Sequence, residues 1–270
     1  MGARRLRLDA ELVRRGLARS REHAGELVGA GRVRVGGTPA LKPATQVDLA
    51  AAIVVEDAGE EDGYVSRGAH KLVGALDAFA VDVTGRRCLD AGASTGGFTD
   101  VLLRRGADHV VAVDVGYGQI AWSLRTDERV SVLERTNVRT LDPEVVAPAP
   151  SLVVADLSFI SLTLVLPALV RCAAQDAEHV LMVKPQFEVG REALGAGGVV
   201  RSAGLRADAV RHVAAAAADA GLGVRGVAAS PLPGPSGNVE YFLHLAAGAP
   251  PLEEDALARA IADGPQAGLA

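Results

Sequence analysis

The chain has 270 residues, 49% of them apolar and only 3% aromatic, with 33 acidic against 28 basic side chains and a net charge of −5. That composition excludes a disordered chain and requires a core built mainly from Ala, Val and Leu, as in an α/β protein. Cys88 and Cys172 lie far apart in apolar runs, without the spacing of a zinc site or a disulfide framework, and read as two buried thiols in a reducing cytoplasm.

The basic start MGARRLRLDAELVRR holds no continuous apolar stretch and does not read as a secretory signal. Residues 1 to 47 carry ten Lys or Arg against four Asp or Glu, which leaves −11 for the remainder. A positive module on an acidic body is what a polyanion-binding appendage looks like, since phosphate contacts supply most non-specific nucleic-acid affinity. Leu8, Leu12 and Val13 recur at helical spacing, with Asp9 as the expected N-cap and Gly16 as the break. Ser20 caps a second expected helix through Ala24, Leu27 and Val28, ending at Gly31. Arg32-Val33-Arg34-Val35 then alternates as a strand into a Gly36-Gly37 turn, followed by LKPATQV and the apolar AAIVV.

The segments GLxxSRxxA and GxVxVxG make residues 5 to 56 resemble the small RNA-binding domain named after ribosomal protein S-four. The resemblance implies that Arg4, Arg5, Arg19, Arg21, Arg32, Arg34 and Lys42 contact folded RNA. The expected organisation is this domain over 1–56, a linker over 57–63, a catalytic domain over 64–246 and a C-terminal tail over 247–270. The linker follows from EDAGEEDG at 56 to 63, with five acids and two glycines. The tail is rich in Ala, Gly, Pro and acids and reads as a helix of modest stability or a frayed end.

Beyond the linker, strand-like runs at Arg87 to Asp90, Val110 to Asp114, Leu152 to Asp156, Val180 to Lys184 and Val224 to Ala228 alternate with helical stretches, the signature of a doubly wound sheet. The longest helical pattern is LRADAVRHVAAAAADAG, closed by Gly221. The most apolar run, Leu157 to Val170, is shorter than the roughly 20 residues a membrane span needs and is broken by Pro167.

Cys88-Leu89-Asp90-Ala91-Gly92-Ala93-Ser94-Thr95-Gly96-Gly97-Phe98 reads as strand, glycine turn and helix. Such a turn lets the backbone approach a ligand, and the helix N-terminus offers free N–H groups. VVAVDV adds a second strand ending in Asp114, placed to accept from ribose hydroxyls. A nicotinamide enzyme is disfavoured: the spacing is not GxGxxG, and none of Tyr64, Tyr117 and Tyr241 has a lysine four residues later. The turn D-x-G-x-x-x-G-G-F resembles the first motif of class I S-adenosylmethionine methyltransferases. That resemblance assigns Asp90, Gly92, Ala93, Ser94, Gly96, Gly97 and Phe98 to the cofactor, Asp114 with Val115 to its ribose, and Asn137 with Val138 to its adenine.

Methyl transfer is an in-line displacement, so the enzyme must align the nucleophile and manage its proton. A ribose hydroxyl is a poor nucleophile and needs a nearby lysine, itself oriented by a carboxylate. Lys71 in SRGAHKL, Asp156 in VVADLSF, Lys184 in MVKPQFE and Glu240 in GNVEYF stand at expected ends of core elements. In order and context they resemble the Lys-Asp-Lys-Glu set of FtsJ-like RNA 2′-O-methyltransferases over residues 64 to 246. We assign the base to Lys184, oriented by Asp156, with Lys71 supporting developing charge and Glu240 placing the ribose; the sequence also allows these roles to be exchanged. D-L-S-F stands where base-amine methyltransferases have D/N-P-P-Y/F, and neither cysteine follows a proline as a cytosine C5 nucleophile would.

With both modules, the chain from about Arg4 to Leu245 resembles the TlyA family of ribosomal RNA cytidine-2′-O-methyltransferases. The resemblance implies S-adenosylmethionine as cofactor and large-subunit rRNA as substrate, extending to small-subunit rRNA in the longer-chain subgroup. It implies further that Phe159 and Ser236 line the pocket near the target nucleotide. Arg191, in the loop Gly190 to Gly198, is a candidate for an RNA phosphate or an ordinary loop arginine. The expected fold is a class I, Rossmann-like, mostly parallel seven-stranded sheet preceded by a small α+β RNA-binding domain. The expected protein is cytoplasmic and monomeric, binds ribosomal subunits and uses neither metal nor membrane. The rivals are a non-catalytic ribosome-assembly factor and a membrane-active haemolysin, the label some family members carry.

Overall fold

The structure is a computed structural model; it describes residues 5–18, 20–29, 31–48, 51, 53–55, 63–190, 192, 194–234 and 237–264. The expected linker through 62, and Arg4, Arg19, Arg191 and Ser236, lie outside the described residues.

The N-terminal part runs β1 (Arg5–Arg7), α1 (Leu8–Arg14), α2 (Arg21–Gly29), β2 (Val33–Val35), β3 (Thr38–Pro39), β4 (Gln46–Asp48) and β5 (Ile53–Val55). β1 pairs antiparallel with β4, while β2 lies between β3 and β5. Leu8, Leu12, Ala24, Leu27 and Val28 from the two helices close over Val33 and Val47, forming one small core. Ser20 Oγ accepts from the His23 N–H at 3.1 Å, as an N-cap does. Asp9 is not a cap: α1 starts one residue earlier, with Arg7 in the cap position. Asp9 is buried and takes the Arg7 and Arg21 guanidinium groups at 2.7 and 3.0 Å. Its Oδ1 also accepts from the Ala10 N–H at 2.8 Å, so the carboxylate serves the arginines and a helix N–H together.

The larger part contains α3 (Ala69–Phe79), β6 (Arg87–Ala91), α4 (Gly97–Arg104), β7 (His109–Val113), α5 (Trp122–Arg125), β8 (Val130–Leu133), α6 (Pro143–Val146), β9 (Leu152–Ala155), α7 (Leu166–Cys172), β10 (Glu178–Val183), α8 (Pro185–Glu188), α9 (Ala203–Asp219), β11 (Leu222–Ala229), β12 (Tyr241–Ala247) and α10 (Glu254–Asp263). Seven strands form one sheet in the order β11-β12-β10-β9-β6-β7-β8. β12 runs antiparallel to both its neighbours, and the remaining pairs are parallel.

The central strands are mostly apolar because both sheet faces are covered. Successive residues feed opposite layers: Leu89, Val111, Val153, Leu181 and Val183 pack with α7, α9 and α10, while Cys88, Val110, Leu152, Val154 and Met182 pack with α3 and α4. Both cysteines are buried and free, and burial pushes the Cys88 thiol up to about 12. Part of the expected tail is α10, which buries Leu257 and Ala260. No helix among the described residues is long and apolar enough to cross a membrane.

Candidate active site

Register brings the chemistry to one end of the sheet. β6 and β9 end together at Ala91 and Ala155, and Val183 at the end of β10 faces Tyr241 at the start of β12. Asp156, Lys184 and Glu240 are each the next residue outward. This carboxyl end of a doubly wound sheet is where such folds bind ligands.

The turn after β6 passes tightly under this end. Gly92 has φ +90, and a Cβ there would stand 2.6 Å from the Asp156 carbonyl oxygen. Gly96, at φ +99, is the N-cap residue of α4. A side chain at either position is strained, and at Gly92 it would displace the backbone that carries Asp156.

Asp90 is fully buried; Thr99 Oγ1 donates to its Oδ2 at 2.7 Å, and its Oδ1 has no partner among the described residues. Burial, reinforced by the negative charges of Asp156 and Asp114, raises the Asp90 carboxyl to about 7. An orphaned acid of this kind suits a cationic partner such as the α-ammonium of S-adenosylmethionine. Asp114 accepts from the Ser94 N–H at 2.9 Å and from the Gly116 N–H at 2.6 Å, one on each oxygen. It therefore ties the glycine turn to the loop after β7 and keeps acceptor capacity for ribose hydroxyls.

Ala93 is buried, Ser94 has φ +49, and Val115 is exposed on the loop after β7. The Phe98 ring is buried against Phe242, 6.2 Å away, so it anchors α4 in the core. Asn137 Oδ1 accepts from the Arg139 N–H at 3.0 Å, and the Val138 side chain is buried in the core.

The four candidate catalytic residues form two pairs. Lys184 Nζ lies 2.6 Å from Asp156 Oδ1, and Lys71 Nζ, presented from α3, lies 2.5 Å from Glu240 Oε2. Glu240 is fully buried, and Lys71 and Lys184 nearly so. Glu240 Oε1 has no partner among the described residues, and Gly234 makes room for it, since a Cβ there would meet that oxygen at 2.5 Å.

Four contributors escaped the sequence analysis. Ser158 Oγ accepts from Lys184 Nζ at 2.9 Å; its signal was its place in D-L-S-F. Phe187 and Glu188 belong to the quoted V-K-P-Q-F-E, yet nothing in that string shows what they touch. Thr99 carries no sequence signal as the partner of Asp90. Phe159 is 91% exposed with φ +65, its ring centroid 5.3 Å from that of Phe187.

On the small domain, Arg5 and Lys42 are exposed, and Arg32 and Arg34 are half-buried. Arg21 is drawn to β1 through Asp9, while Arg34 lies in β2 on the other sheet, its Nη1 donating to the Gly37 carbonyl at 3.3 Å. Arg7, the second arginine on the short strand β1, shares Asp9 with Arg21 and was not among the expected RNA contacts.

Residues 64–247 match the family model described as FtsJ-like methyltransferase, and residues 6–53 match that of the S4 domain. The chain is 65% identical, over 97% of its length and 100% of the relative's, to the 16S/23S rRNA (cytidine-2′-O)-methyltransferase TlyA of Mycobacterium tuberculosis. It is 36% identical to Hemolysin A of Brachyspira hyodysenteriae, covering 89% of this chain and 99% of that one. A solved structure of a candidate hemolysin from Streptococcus thermophilus superposes with a TM-score of 0.71 at 39% identity, covering 96% of each chain.

Proposed function

The chain belongs to the FtsJ-like methyltransferase family, with an S4 domain ahead of the catalytic domain as in the TlyA proteins, and from that premise we propose that it methylates the ribose 2′-hydroxyl of cytidine in ribosomal RNA. S-adenosylmethionine is the cofactor, and the substrate is 23S rRNA within ribosomal subunits, extended to 16S rRNA by the relative at 65% identity. The protein acts in the cytoplasm, where its substrate is. The observation that carries the reading is the pairing of Lys184 with Asp156 and of Lys71 with Glu240 at the same sheet end as the glycine turn. Two carboxylates holding two lysines in place are what proton management at an alcohol requires, and a purely RNA-binding module has no use for them.

Asp90, Gly92, Ala93, Ser94, Gly96, Gly97, Asp114, Val115, Asn137 and Val138 hold the cofactor, with Phe98 behind them. The orphaned Asp90 Oδ1 and the backbone N–H groups at the start of α4 are what fit it. When bound, S-adenosylmethionine supplies an electrophilic methyl group. Asp156 and Ser158 fix the Lys184 Nζ; in its neutral amine form Lys184 takes the hydroxyl proton as the nucleophile forms, and Asp156 holds the ammonium that results. Lys71 stabilises the negative charge developing on the ribose oxygen, and Glu240 holds Lys71 and places the ribose. Phe159 and Ser236 flank the target nucleotide, while Arg4, Arg5, Arg19, Arg21, Arg32, Arg34, Lys42 and Arg191 contact RNA. The RNA-binding domain is taken as 1–56 and the catalytic domain as 64–246.

The test is tritium transfer from labelled S-adenosylmethionine to unmethylated ribosomal subunits, wild type beside Lys184→Ala, with the product hydrolysed in alkali. An alkali-resistant dinucleotide, absent with the variant, is the expected result. Label on a base would overturn the ribose assignment, and RNA binding without any transfer would favour the assembly factor.

A further inference from the structure

Two loops carry the reacting end of the site: residues 156–161, after β9, and residues 184–188, after β10. They are joined by more than the Lys184–Asp156 ion pair. Lys184 also reaches Ser158 Oγ at 2.9 Å, the Phe187 ring packs on that of Phe159 at 5.3 Å, and Ser161 Oγ and the Leu162 N–H donate to the two oxygens of Glu188 at 2.6 and 2.8 Å. Moving outward from Lys184 along one loop, each contact falls further along the other. The result is a ladder with the catalytic pair at one end and the Glu188 carboxylate at the other.

Phe159 sits between the rungs. A phenylalanine in the left-handed region is strained, and with 91% of its surface exposed it recovers little by burial. The loop must therefore be held from its flanks. Asp156 and Ser158 hold one flank through Lys184, and Glu188 holds the other. Ser161 Oγ caps the short turn at Leu162–Leu164 through the Thr163 N–H at 3.1 Å, and Glu188 takes the remaining Leu162 N–H from the segment after β10 rather than from the turn itself. What the carboxylate adds is a tie between the loops.

We infer that Glu188 is a positioning residue for methyl transfer: by gripping Ser161 and Leu162 it sets the loop that turns Phe159 outward and seats Asp156 and Ser158 against Lys184. Glu188 acts only through that loop and does not touch the reacting atoms. The inference rests on the methyl-transfer reading, and it also makes a claim about loop position that stands apart from turnover.

The full chain is compared with Glu188→Ala and Glu188→Gln for S-adenosylmethionine affinity by calorimetry and for kcat and KM on ribosomal subunits. Misplacement of a catalytic group by even an ångström can slow turnover about a hundredfold, so E188A should lose ten- to about a hundredfold in kcat. Its cofactor affinity should stay within about twofold of wild type. E188Q should recover most of the rate, because its amide oxygen can accept from Leu162 and its NH₂ can donate to Ser161. Unchanged kcat in E188A overturns the inference, as does parallel loss of cofactor binding, and E188Q as slow as E188A would move the role from position to charge.

Ser161→Ala removes one rung from a half-buried position and serves if E188A does not fold; a kcat equal to wild type in S161A counts against the clamp. Loop position is read directly in a Trp122→Phe/Phe159→Trp chain, whose single indole should lose fluorescence anisotropy when E188A is added and keep it with E188Q. Unchanged anisotropy with E188A overturns the clamp even if the rate falls. Absence of methyl transfer by the wild type would overturn the functional reading, and the anisotropy would still decide the clamp.

Discussion

Lys71 Nζ and Glu240 Oε2 face each other at 2.5 Å across 169 residues of sequence, the carboxylate fully buried and the ammonium nearly so. Removing one partner of such a pair leaves a buried charge uncompensated, which costs about 3–5 kcal/mol, whereas replacing both by apolar groups is often neutral. Glu240→Ala should therefore lower Tm by roughly 10 °C and abolish methyl transfer. Lys71→Met/Glu240→Leu should restore most of the Tm and none of the activity. Thermal unfolding beside tritium transfer checks both; a double variant that regains turnover would remove the pair from the chemistry.

The Asp90 carboxyl stands at about 7 because it is buried and faces two other acids. In the unfolded chain it ionises near the ordinary value of about 4, so the free protein keeps a proton there up to about 7. The stability contributed by holding that proton is present at acid pH and is lost as the pH rises through about 7. An ammonium placed against Oδ1 favours the ionised form, so cofactor affinity should run the other way. The Kd for S-adenosylmethionine should weaken about tenfold from pH 8 to pH 6. Asp90→Asn should bind weakly with a flat profile, and a flat profile in the wild type would remove Asp90 from the cofactor.

What sequence reveals here follows the range of the interactions. β6, β7, β9 and β10 are legible because strands covered on both faces are mostly apolar and end at glycine, acid or Lys-Pro turns. β1 is not, since Arg5–Arg7 runs straight into α1 and is held by a partner 41 residues away at its Leu6–Val47 pair. β12 escaped the strand analysis because YFLHLAA, flanked by no alternation, reads equally as buried helix. Within the site, residue types and order identify Lys71, Asp156, Lys184 and Glu240 as a set. Which lysine meets which carboxylate depends on the antiparallel register of β12 against β10, which no local pattern encodes. Asp9 shows the converse: a good cap by local rules, it is claimed by Arg21 from the next helix.

The small domain should reveal itself through salt. If Arg34 and Arg21 meet phosphates, Arg34→Ala and Arg21→Ala should each reduce the slope of log K against log salt by about 1 and weaken binding to unrelated RNA alike. Cofactor affinity should not move. Filter binding at graded salt measures the slope, and an unchanged slope in both variants would take the contact surface elsewhere. Arg21 also holds Asp9, so its loss should in addition lower the Tm, whereas Arg34→Ala should leave the Tm within about 0.5 kcal/mol equivalent.

His179 on β10 is 2% exposed, and burial pushes its ring down to about 4. An unfolded histidine takes its proton near 6.5, so between that pH and about 4 the unfolded chain binds a proton that the native one refuses. The stability this contributes is complete above about 6.5 and is lost as the pH falls towards 4, a difference of about 3 kcal/mol. His244, lowered by burial and partly restored by Glu178, adds to the same acid limb. Glu11 titrates lower still, held down to about 2 by Arg14 and Arg15, and its contribution is lost only below the ordinary carboxylate range. Asp90 works in the opposite sense over the same range in both chains, so the readout of urea unfolding from pH 8 to pH 3 is the stability difference between wild type and His179→Leu, which should change by about 3 kcal/mol between 6.5 and 4 in favour of the variant. The loss below pH 4 should remain, because the carboxylates behind it are untouched. An acid limb of the same depth in His179→Leu would mean that the ring is not what the native state keeps neutral.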